Sequence, residues 1–593
     1  MIPQQPTTLV PARLMKSRPP IRTAILSLLL LLATGFLSQL SYASLQEDGE
    51  TSMEVAETAS AAAKPLGIDE QINKWFEPIS DFFGGVIFFE IYDGIPFVLV
   101  VLVASALFFT IYFGFVNIVR FPTAINVVRG KYDSLDHHSA DPKAEVNIVD
   151  GDVVDTIGDE SEGEVTHFQA LATAVSGTVG NGNIAGVALA IALGGPGATF
   201  WMIICGLLGM STKFVECTLG VQYRDIGPDG TVHGGPMYYL SKGLKERGFG
   251  LLGSASAVFF AIFCIGGSFG GGNAAQSNQA TIVIKDLLQL ESSAAGTGIG
   301  VVLAILVGII IIGGIKRIAS VTEKIVPFMA VLYAVACLYI ILSNVTLLDD
   351  AIMLIVSEAF SMKAGIGGLI GVLLIGFQRA AFSNEAGAGS ASIAHSAVKT
   401  KFSASEGLVA LLEPFIDTVV ICTMTALVII IFNTGGAFDY GGIPGAVVQA
   451  DSTLDVVVGG VLYEDVEGKV LIDGELKEGA GITSSAFAKF IPFSNIFLTV
   501  AVVLFAVSTM ISWSYYGLQS WKFLFGRSKA ADISYKLLFC VFVVIGSAAN
   551  MNSIWAFSDA MIFAMVFPNM IGLFFLFPVV KKQLDRYLAA IRG

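Results

Sequence analysis

The chain has 593 residues, of which 54% are hydrophobic and 14% charged, and its mean hydropathy is +0.74. Soluble domains carry roughly 25% charged residues, so this composition excludes an ordinary soluble protein and indicates a polytopic membrane protein. The formal net charge is −14 and the sequence has no basic stripe, which excludes nucleic acid as a partner.

The N-terminal region, 1–43, has the pattern of a secretory signal peptide. Four basic residues between 13 and 22 precede an apolar run, 24–40, which ends at small residues near Ala43. An uncleaved additional helix is the alternative. Residues 44–94 follow as an exported polar segment, whose acidic, Ala/Ser-rich first part predicts a disordered or loosely structured chain.

The rest of the chain is dominated by apolar spans of membrane length. A membrane helix needs about 20 mostly apolar residues. Eleven spans meet this requirement, near 95–119, 168–193, 197–222, 250–279, 297–315, 319–343, 364–395, 405–434, 491–520, 533–550 and 553–579. We therefore predict an all-α polytopic membrane protein with 11 transmembrane helices. The first is an additional helix, 95–119, separated by an acidic cytoplasmic loop, 120–167, from the main membrane core, 168–580.

Lysine and arginine concentrate in alternate loops and in the basic tail, 581–593, which places those parts in the cytoplasm. We expect a multi-pass protein of the cell (inner or plasma) membrane, with its N-terminus outside after signal removal and its C-terminus inside. An external polar insertion, 436–488, contains alternating residues near 468–472 that suggest a β-hairpin.

The span beginning at Phe168 is interrupted by glycines at 177, 180, 182 and 186 and by asparagines at 181 and 183. Glycine weakens a helix, and an asparagine amide is costly in hydrocarbon unless it is bound. Broken membrane helices are tolerated where their freed backbone groups line a cavity. Close helix packing through small residues is the alternative, but packing does not require the asparagines.

A second interrupted span covers 375–395 and contains the polar run Phe382-Ser-Asn-Glu385. Without the additional helix, ten spans remain, and the two broken ones are the first and the sixth. They hold corresponding positions in two halves of five. This is the pattern of inverted repeats with a binding site between them.

Three motifs resemble the alanine or glycine:cation symporter family (sodium:alanine symporter-like). They are Gly177-Thr-Val-Gly-Asn-Gly-Asn-Ile-Ala-Gly186 with Gly194-Gly-Pro-Gly197, His233-Gly-Gly-Pro-Met237, and Arg379-Ala-Ala-Phe-Ser-Asn-Glu-Ala-Gly-Ala-Gly-Ser390 with Ile393-Ala-His395. The resemblance implies the five-plus-five inverted-repeat fold of the leucine-transporter type. It also implies uptake of small amino acids coupled to sodium, or sometimes to protons.

A zwitterionic substrate needs donors for its carboxylate and acceptors for its ammonium group. Backbone N–H groups freed in the first break, next to a half-helix N-terminus, can supply the donors. For Gln276, an interhelical hydrogen bond is the alternative, and the resemblance favours substrate contact. The predicted substrate-binding residues are Gly180, Asn181, Gly182, Asn183, Gln276, Asn278, Phe382, Ser383, Asn384 and Trp513.

Sodium is a hard cation that prefers uncharged oxygens. Hydroxyls of Ser508 and Thr509 can join carbonyls of the first break, although such hydroxyls also bond to their own helix. The resemblance favours the ion site, and the predicted sodium ligands are Gly177, Thr178, Val179, Ser508 and Thr509.

Charged residues inside apolar spans suggest further roles. Glu385 is a candidate proton-sensitive carboxylate, and Arg379 can join it in an internal polar network. Lys213 and Glu216 lie three apart and are predicted to pair.

No nucleotide-binding loop, metal-ligand spacing or nucleophile–base set is present, so we predict no enzyme activity and no cofactor apart from Na⁺ as coupling ion. The expected function is sodium-coupled import of alanine or glycine by alternating access, with Na⁺, the small-molecule substrate and the lipid bilayer as partners. The alternatives are a proton-coupled transporter of another zwitterion, or a non-transporting amino-acid sensor.

Overall fold

The computed structural model describes residues 68–592, except 93, 138–147, 150–151, 154–162, 228–229, 293, 362–367, 445, 449–453, 459–460, 464–465 and 467. The predicted signal segment, the start of the exported polar segment and, within the acidic loop, residues 138–147, 150–151 and 154–162 lie outside the described residues.

The described chain is mostly helical. Its helices are α1 Ile68–Ile87, α2 Phe97–Tyr112, α3 Val116–Val119, α4 Phe121–Val128, α5 Asp133–His137, α6 His167–Thr178, α7 Ala185–Gly194, α8 Gly197–Gln222, α9 Pro236–Tyr238, α10 Leu244–Glu246, α11 Gly250–Phe269, α12 Ala275–Leu288, α13 Ala295–Ile311, α14 Gly314–Ser343, α15 Leu348–Ala359, α16 Gly368–Asn384, α17 Ser392–His395, α18 Ser403–Val409, α19 Leu412–Pro414, α20 Thr423–Asn433, α21 Ala480–Phe490, α22 Ser494–Phe525, α23 Lys529–Ala548 and α24 Met551–Ala590. Short 3₁₀ turns lie at Asn181–Asn183 and Val345–Leu347, and π-helical turns at Tyr239–Gly243, Gly270–Ala274 and Phe415–Cys422.

The strands are short and lie in the connections between helices. They are β1 Glu90–Tyr92, β2 Ile95–Pro96, β3 Ile148–Val149, β4 Asp152–Val153, β5 Asp225–Ile226, β6 Val232–His233, β7 Val447–Val448, β8 Leu454–Val458, β9 Val461–Tyr463, β10 Val470–Ile472 and β11 Glu475–Lys477. The hairpin predicted near 468–472 is confirmed, because β10 pairs antiparallel with β11 and Leu471 lies opposite Leu476.

Seven helical spans among the described residues are long and apolar enough to cross a membrane, and the bent pair formed by α6 and α7 makes an eighth. Helices α2 and α13 are apolar but shorter. The predicted span 95–119 is interrupted because Gly114 and Phe115 both have positive φ, which ends α2 before α3 begins. The eleven expected spans are therefore only partly accounted for by continuous helices.

Residues 68–75, the end of the stretch 44–75 that is expected to be disordered or loosely structured, belong to helix α1, so the expectation is wrong for them; residues 44–67 lie outside the described residues. Helix α1 carries apolar side chains at helical spacing and packs against α24. The rings of Phe76 and Phe557 meet edge to face with centroids 5.2 Å apart. The Ser80 hydroxyl donates to the Ser553 carbonyl at 2.8 Å. An amphipathic pattern starting at Ile72 is the sequence signal that predicts this helix.

Helices α6 and α7 meet at an angle of 56° across the first break. Helix α6 packs against α14 and α22, and α16, which leads into the second break, packs against α8 and α7. The π-helical turn between α11 and α12 contacts both α22 and α24. These contacts bring the two breaks, α12, α22 and α24 together in the interior.

Candidate functional site

The first break begins where α6 stops at Thr178. The Gly180 N–H donates to the Asn183 side-chain oxygen at 2.8 Å, and this bond holds the 3₁₀ turn that restarts the helix. The Asn181 N–H donates to Gln276 Oε1 at 2.9 Å, and the Asn181 amide donates to the Gln276 carbonyl at 3.0 Å. The first break is therefore bonded to α12 through both the side chain and the backbone carbonyl of Gln276.

A glycine is required at position 180 because the backbone there lies very close to Thr509 and Gln276. A Cβ at this position would lie 3.0 Å from Gln276 Oε1 and 3.3 Å from Thr509 Cβ, and closer still to the Thr509 hydroxyl. Real Cβ atoms rarely have neighbours at such distances. The absence of a side chain therefore lets the backbone of the first break lie directly against Thr509 of α22.

The second break begins after Asn384. Glu385 has a φ of 56°, in the left-handed region that only a few per cent of non-glycine residues occupy. Its buried carboxylate accepts a hydrogen bond from the Trp513 indole at 2.9 Å and another from the Ser390 hydroxyl. These bonds hold Glu385 at the break and connect it to α22.

Asp417 joins the two breaks. It lies in the π-helical turn Phe415–Cys422 and is fully buried. Its carboxylate accepts from the Asn183 amide at 2.6 Å, from the Ser383 hydroxyl at 2.9 Å, and from the Thr418 hydroxyl at 2.6 Å. The Asn384 amide in turn donates to Thr418 Oγ1 at 2.9 Å. One carboxylate therefore binds polar side chains from both interrupted helices.

A small buried cavity of about 10 Å³ lies between these elements, and we call it the central cavity. Both breaks, the π-helical turn after α11, and helices α12, α22 and α24 contribute to its wall. The lining residues are Gly177, Thr178, Gly182, Gly271, Gln276, Phe382, Ser383, Glu385, Trp513 and Ile562.

Five of the residues predicted to bind substrate line this cavity, namely Gly182, Gln276, Phe382, Ser383 and Trp513. Two predicted sodium ligands, Gly177 and Thr178, and the candidate proton-sensitive Glu385 line it as well.

The other predicted residues lie outside the lining. Gly180, Asn181, Asn183 and Asn384 hold the breaks through the contacts given above, and Val179 caps α6. Asn278 is elsewhere, because its amide donates to the carbonyls of Gly546 and Ala549 at 3.1 and 2.8 Å. It therefore binds the end of α23 instead of facing the central cavity.

The two predicted hydroxyls of α22 differ in their surroundings. The Ser508 hydroxyl donates to the Phe505 carbonyl of its own helix at 2.9 Å, and its carbonyl accepts from Ser176 at 2.8 Å. The Thr509 hydroxyl is buried against Gly180 and has no hydrogen-bond partner among the described residues. Of the pair, Thr509 is therefore the one with a free oxygen at the first break.

Asn181, Ser512 and Tyr516 are among the other buried residues that have a side-chain oxygen without a partner in the described part of the chain. Thr509, Ser512 and Tyr516 are spaced three and four apart, so they lie on one face of α22. A Cβ on Gly177 would lie 3.0 Å from the Tyr516 hydroxyl, so this face is directed at α6. Buried polar atoms are normally bonded, so a row of unpartnered oxygens indicates a place for a water molecule or ion.

Buried charges next to the breaks form a network, and it differs from the predicted pairing. Lys213 Nζ lies 2.9 Å from Glu413 Oε1, not against Glu216. Glu216 instead accepts from the Gly387 N–H at 2.9 Å and the Asn569 amide at 2.7 Å. The prediction was wrong because α19 places an acid against Lys213, while Glu216 supports the second break.

Two histidines extend the network. His395 Nδ1 lies 2.5 Å from Glu406 Oε1, and its Nε2 lies 3.6 Å from Glu413 Oε2. His167, at the start of α6, contacts the other oxygen of Glu406. The Glu406 carboxylate of α18 therefore contacts the start of the first interrupted helix at His167 and the end of the second at His395.

Arg379 pairs with Asp559 of α24, which also accepts from the Gln378 amide at 3.0 Å. The guanidinium lies over the Trp555 ring, 5.3 Å from its centroid, and the Phe382 and Trp555 rings are 4.8 Å apart. Because Phe382 lines the central cavity, this group of side chains lies directly next to the cavity.

Several of these residues were not predicted. Asp417 stands out in the sequence only as an intramembrane charge, and its partners could not be inferred from the sequence. Gly271 and Ile562 carried no signal, since both are apolar residues within apolar spans. Ser512 and Tyr516 could have been found by extending the hydroxyl face of α22 from Thr509.

Two interrupted apolar helices that meet at a small buried polar cavity are the arrangement with which secondary transporters hold substrates and ions. The fold and site therefore define a secondary membrane transporter. The chain belongs to the sodium:alanine symporter family, whose model matches residues 86–592. The resemblance predicted from the motifs is confirmed.

Relatives are similar over most of their length. The sodium/alanine symporter AgcS of Methanococcus maripaludis is 35% identical over 82% of this chain and 93% of its own. The amino-acid carrier protein AlsT of Bacillus subtilis is 31% identical over 82% of this chain and 88% of its own. The crystal structure of MhsT in complex with L-phenylalanine aligns with a TM-score of 0.43 and 14% identity, covering 72% of this chain and 99% of that one.

Proposed function

We propose that this protein imports a small neutral amino acid, alanine or glycine first, together with sodium, by alternating access. The observation that carries the proposal is the meeting of both helix breaks at the central cavity, next to the unpartnered oxygens of Asn181 and Thr509. Family membership and a relative named as a sodium/alanine symporter support it.

The substrate would bind in the central cavity. Gly182 provides a backbone N–H donor at a half-helix N-terminus for the carboxylate, whereas the N–H groups of Gly180 and Asn181 already donate to Asn183 and Gln276. Gln276 and Ser383 provide polar atoms from the facing elements, and Phe382, Trp513 and Ile562 provide the apolar wall. The central cavity has only about 10 Å³ in this arrangement, and three large side chains close it, which favours a small substrate side chain. We leave Asn278 out of the proposed site because it binds the end of α23.

Sodium, as co-substrate, would bind between the first break and α22. Thr509 supplies a free hydroxyl, and Ser512 a second one on the same helix face. Carbonyls at Gly177, Thr178 and Val179 would complete a shell of oxygens, which is the ligand type that hard cations prefer. Ser508 would take part indirectly, since its own hydroxyl is bonded within α22.

We also propose the five-plus-five inverted repeat for α6 to α24, with α2 and α3 forming the additional span. The breaks after Thr178 and Asn384 hold the first and sixth positions of this arrangement. The positive-inside distribution supports an external N-terminus after signal removal, a cytoplasmic C-terminus and an inner-membrane location.

Uptake of radiolabelled alanine into proteoliposomes tests the proposal, with and without an inward sodium gradient and at two pH values. Accumulation that requires sodium is the expected result. A matched protein carrying Thr509→Val should need more sodium for the same uptake. Binding of alanine without accumulation under any gradient would contradict transport and leave an amino-acid sensor.

Proton coupling is the second candidate, because the Glu385 carboxylate lines the central cavity and accepts hydrogen bonds from two neutral groups, a serine hydroxyl and an indole N–H. Accumulation driven by a pH gradient in sodium-free buffer would favour it. Glu385→Gln should then abolish proton-driven uptake, whereas a purely sodium-coupled carrier would keep its dependence on sodium.

A further inference from the structure

A second cavity, of about 350 Å³, lies between the end of α2, helix α3 and the last turns of α24, far along the chain from both helix breaks. Its wall is apolar on the inside, with Phe113, Val116, Leu584 and Leu588 all buried. Basic residues stand at its edge, namely Arg120, Lys581 and Arg592. We call it the basic-edged cavity.

The charges at this edge do not cancel. Lys581 Nζ lies 2.8 Å from the carboxylate of Asp585, the acidic residue of the lining, so these two charges offset each other. Arg120 and Arg592 have no ion pair or side-chain hydrogen bond within the part of the chain that the structure describes. Two guanidinium groups therefore remain for an anion. Arginine is suited to phosphate because its planar fork donates two parallel hydrogen bonds.

The position of the cavity distinguishes a lipid from a soluble anion. The apolar run of α2 and α3 ends at Val119, directly before Arg120, and that of α24 ends at Val580, directly before Lys581. Both elements therefore leave the hydrocarbon at the level of the cavity. Next to it, exposed apolar side chains continue along α2 and α3, including Ile111, Phe115 and Ile118. An acyl chain can lie along such a surface while its headgroup reaches the arginines.

We propose that the basic-edged cavity binds the headgroup of an anionic phospholipid, with the phosphate held by Arg120 and Arg592 and the first part of an acyl chain against Phe113 and Leu588. The bound lipid would link the additional span formed by α2 and α3 to the end of α24. This site is separate from the central cavity and is independent of which substrate the protein carries.

Native mass spectrometry of the full-length protein released from detergent tests the proposal. The probes are phosphatidylglycerol, phosphatidylcholine and inorganic phosphate, each titrated separately. We expect retained phosphatidylglycerol adducts that exceed the phosphatidylcholine adducts, and no displacement by excess phosphate. The double variant Arg120→Gln/Arg592→Gln should weaken phosphatidylglycerol binding by roughly tenfold or more, since each cation near the surface contributes to lipid attraction.

The matched control is Lys245→Gln/Arg247→Gln, which removes the same charge at the end of α10, outside the cavity lining. It should bind phosphatidylglycerol like the unmodified protein. Equal losses in both double variants would overturn the proposal, because charge alone would then explain binding. Displacement by inorganic phosphate would also overturn it, in favour of a soluble-anion site. Equal amounts of phosphatidylglycerol and phosphatidylcholine adducts would also overturn the proposal, because the cavity would then not select an anionic headgroup.

Discussion

The side-chain amide of Asn183 donates to the carboxylate of Asp417 over 2.6 Å in the fully buried interior. Asn183 belongs to the turn that restarts the first interrupted helix, and Asp417 lies 234 residues further along the chain. Since Ser383 of the second break donates to the same carboxylate, the two breaks cannot move independently without breaking a charged hydrogen bond.

Asp417→Asn should therefore impair transport without removing the protein from the membrane. An amide keeps the shape of the side chain, but it replaces one acceptor oxygen with an NH₂ group that faces two of the three donors. Hydrogen bonds to charged groups contribute about 1.5–3 kcal/mol each, so uptake should fall by at least about tenfold. Initial uptake rates at equal protein amount measure this. Asp585→Asn, at an exposed pair with Lys581, is the control and should transport normally.

Thr509→Val should raise the sodium concentration needed for half-maximal uptake several-fold, because it removes a free oxygen at the first break while keeping the side-chain shape. Ser508→Ala is the matched control one residue away. Its hydroxyl is bonded to Phe505 and contacts Met329, so sodium dependence should change little. A larger shift for Ser508→Ala than for Thr509→Val would reject the assignment of Thr509.

Gly272→Ala should destabilise the protein and reduce uptake. A Cβ at this position would overlap the Trp513 ring, and overpacking of this kind costs about 1–3 kcal/mol. Gly298→Ala in α13 is the control, since no atom lies within 4 Å of its added Cβ. Its stability should be unchanged or raised by up to about 1 kcal/mol. Thermal unfolding in detergent compares the two, and equal behaviour would count against close packing of Trp513 on the turn after α11.

Lys213→Met should lower stability strongly, because it leaves the buried Glu413 carboxylate without its cation. Loss of one partner of a buried ion pair costs about 3–5 kcal/mol, whereas replacing both partners is often neutral. The double variant Lys213→Met/Glu413→Gln should therefore recover a large part of the loss. Unfolding temperatures of the three proteins decide this. A double variant less stable than Lys213→Met would contradict this, because Glu413 would then stabilise the fold through a contact other than Lys213, such as His395.

Ile562→Ala should shift the substrate preference toward larger neutral amino acids. The Ile562 side chain fills the central cavity against Gly271, so its truncation makes room there. One methylene in an apolar pocket is worth about 1–3 kcal/mol, so uptake of valine relative to alanine should rise by roughly tenfold. Ile554→Ala, buried two turns earlier on α24 but outside the cavity lining, should leave the ratio unchanged.

The position of both breaks could be inferred from the sequence because clustered glycine and asparagine residues disfavour a continuous, lipid-facing helix. The pairing of side chains that lie far apart in the chain could not be inferred from the sequence. The sequence predicts a pair between Lys213 and Glu216, three residues apart. In the structure, Glu216 instead accepts hydrogen bonds from Gly387 and Asn569, and Lys213 donates to Glu413. In a buried environment the partner is the nearest correctly oriented group, and that depends on how neighbouring helices are rotated.

Local chemistry along the chain was enough to establish membrane spans, two interrupted helices and family motifs, since each depends on residues close together in sequence. The free Thr509 hydroxyl, the bonded Ser508 hydroxyl and the Asp417 link between the breaks depend on packing. Adjacent residues of α22 point in directions about 100° apart, so only the arrangement of helices selects which one faces the break. Ile562 enters the central cavity for the same reason, because α24 turns that face toward the π-helical turn after α11.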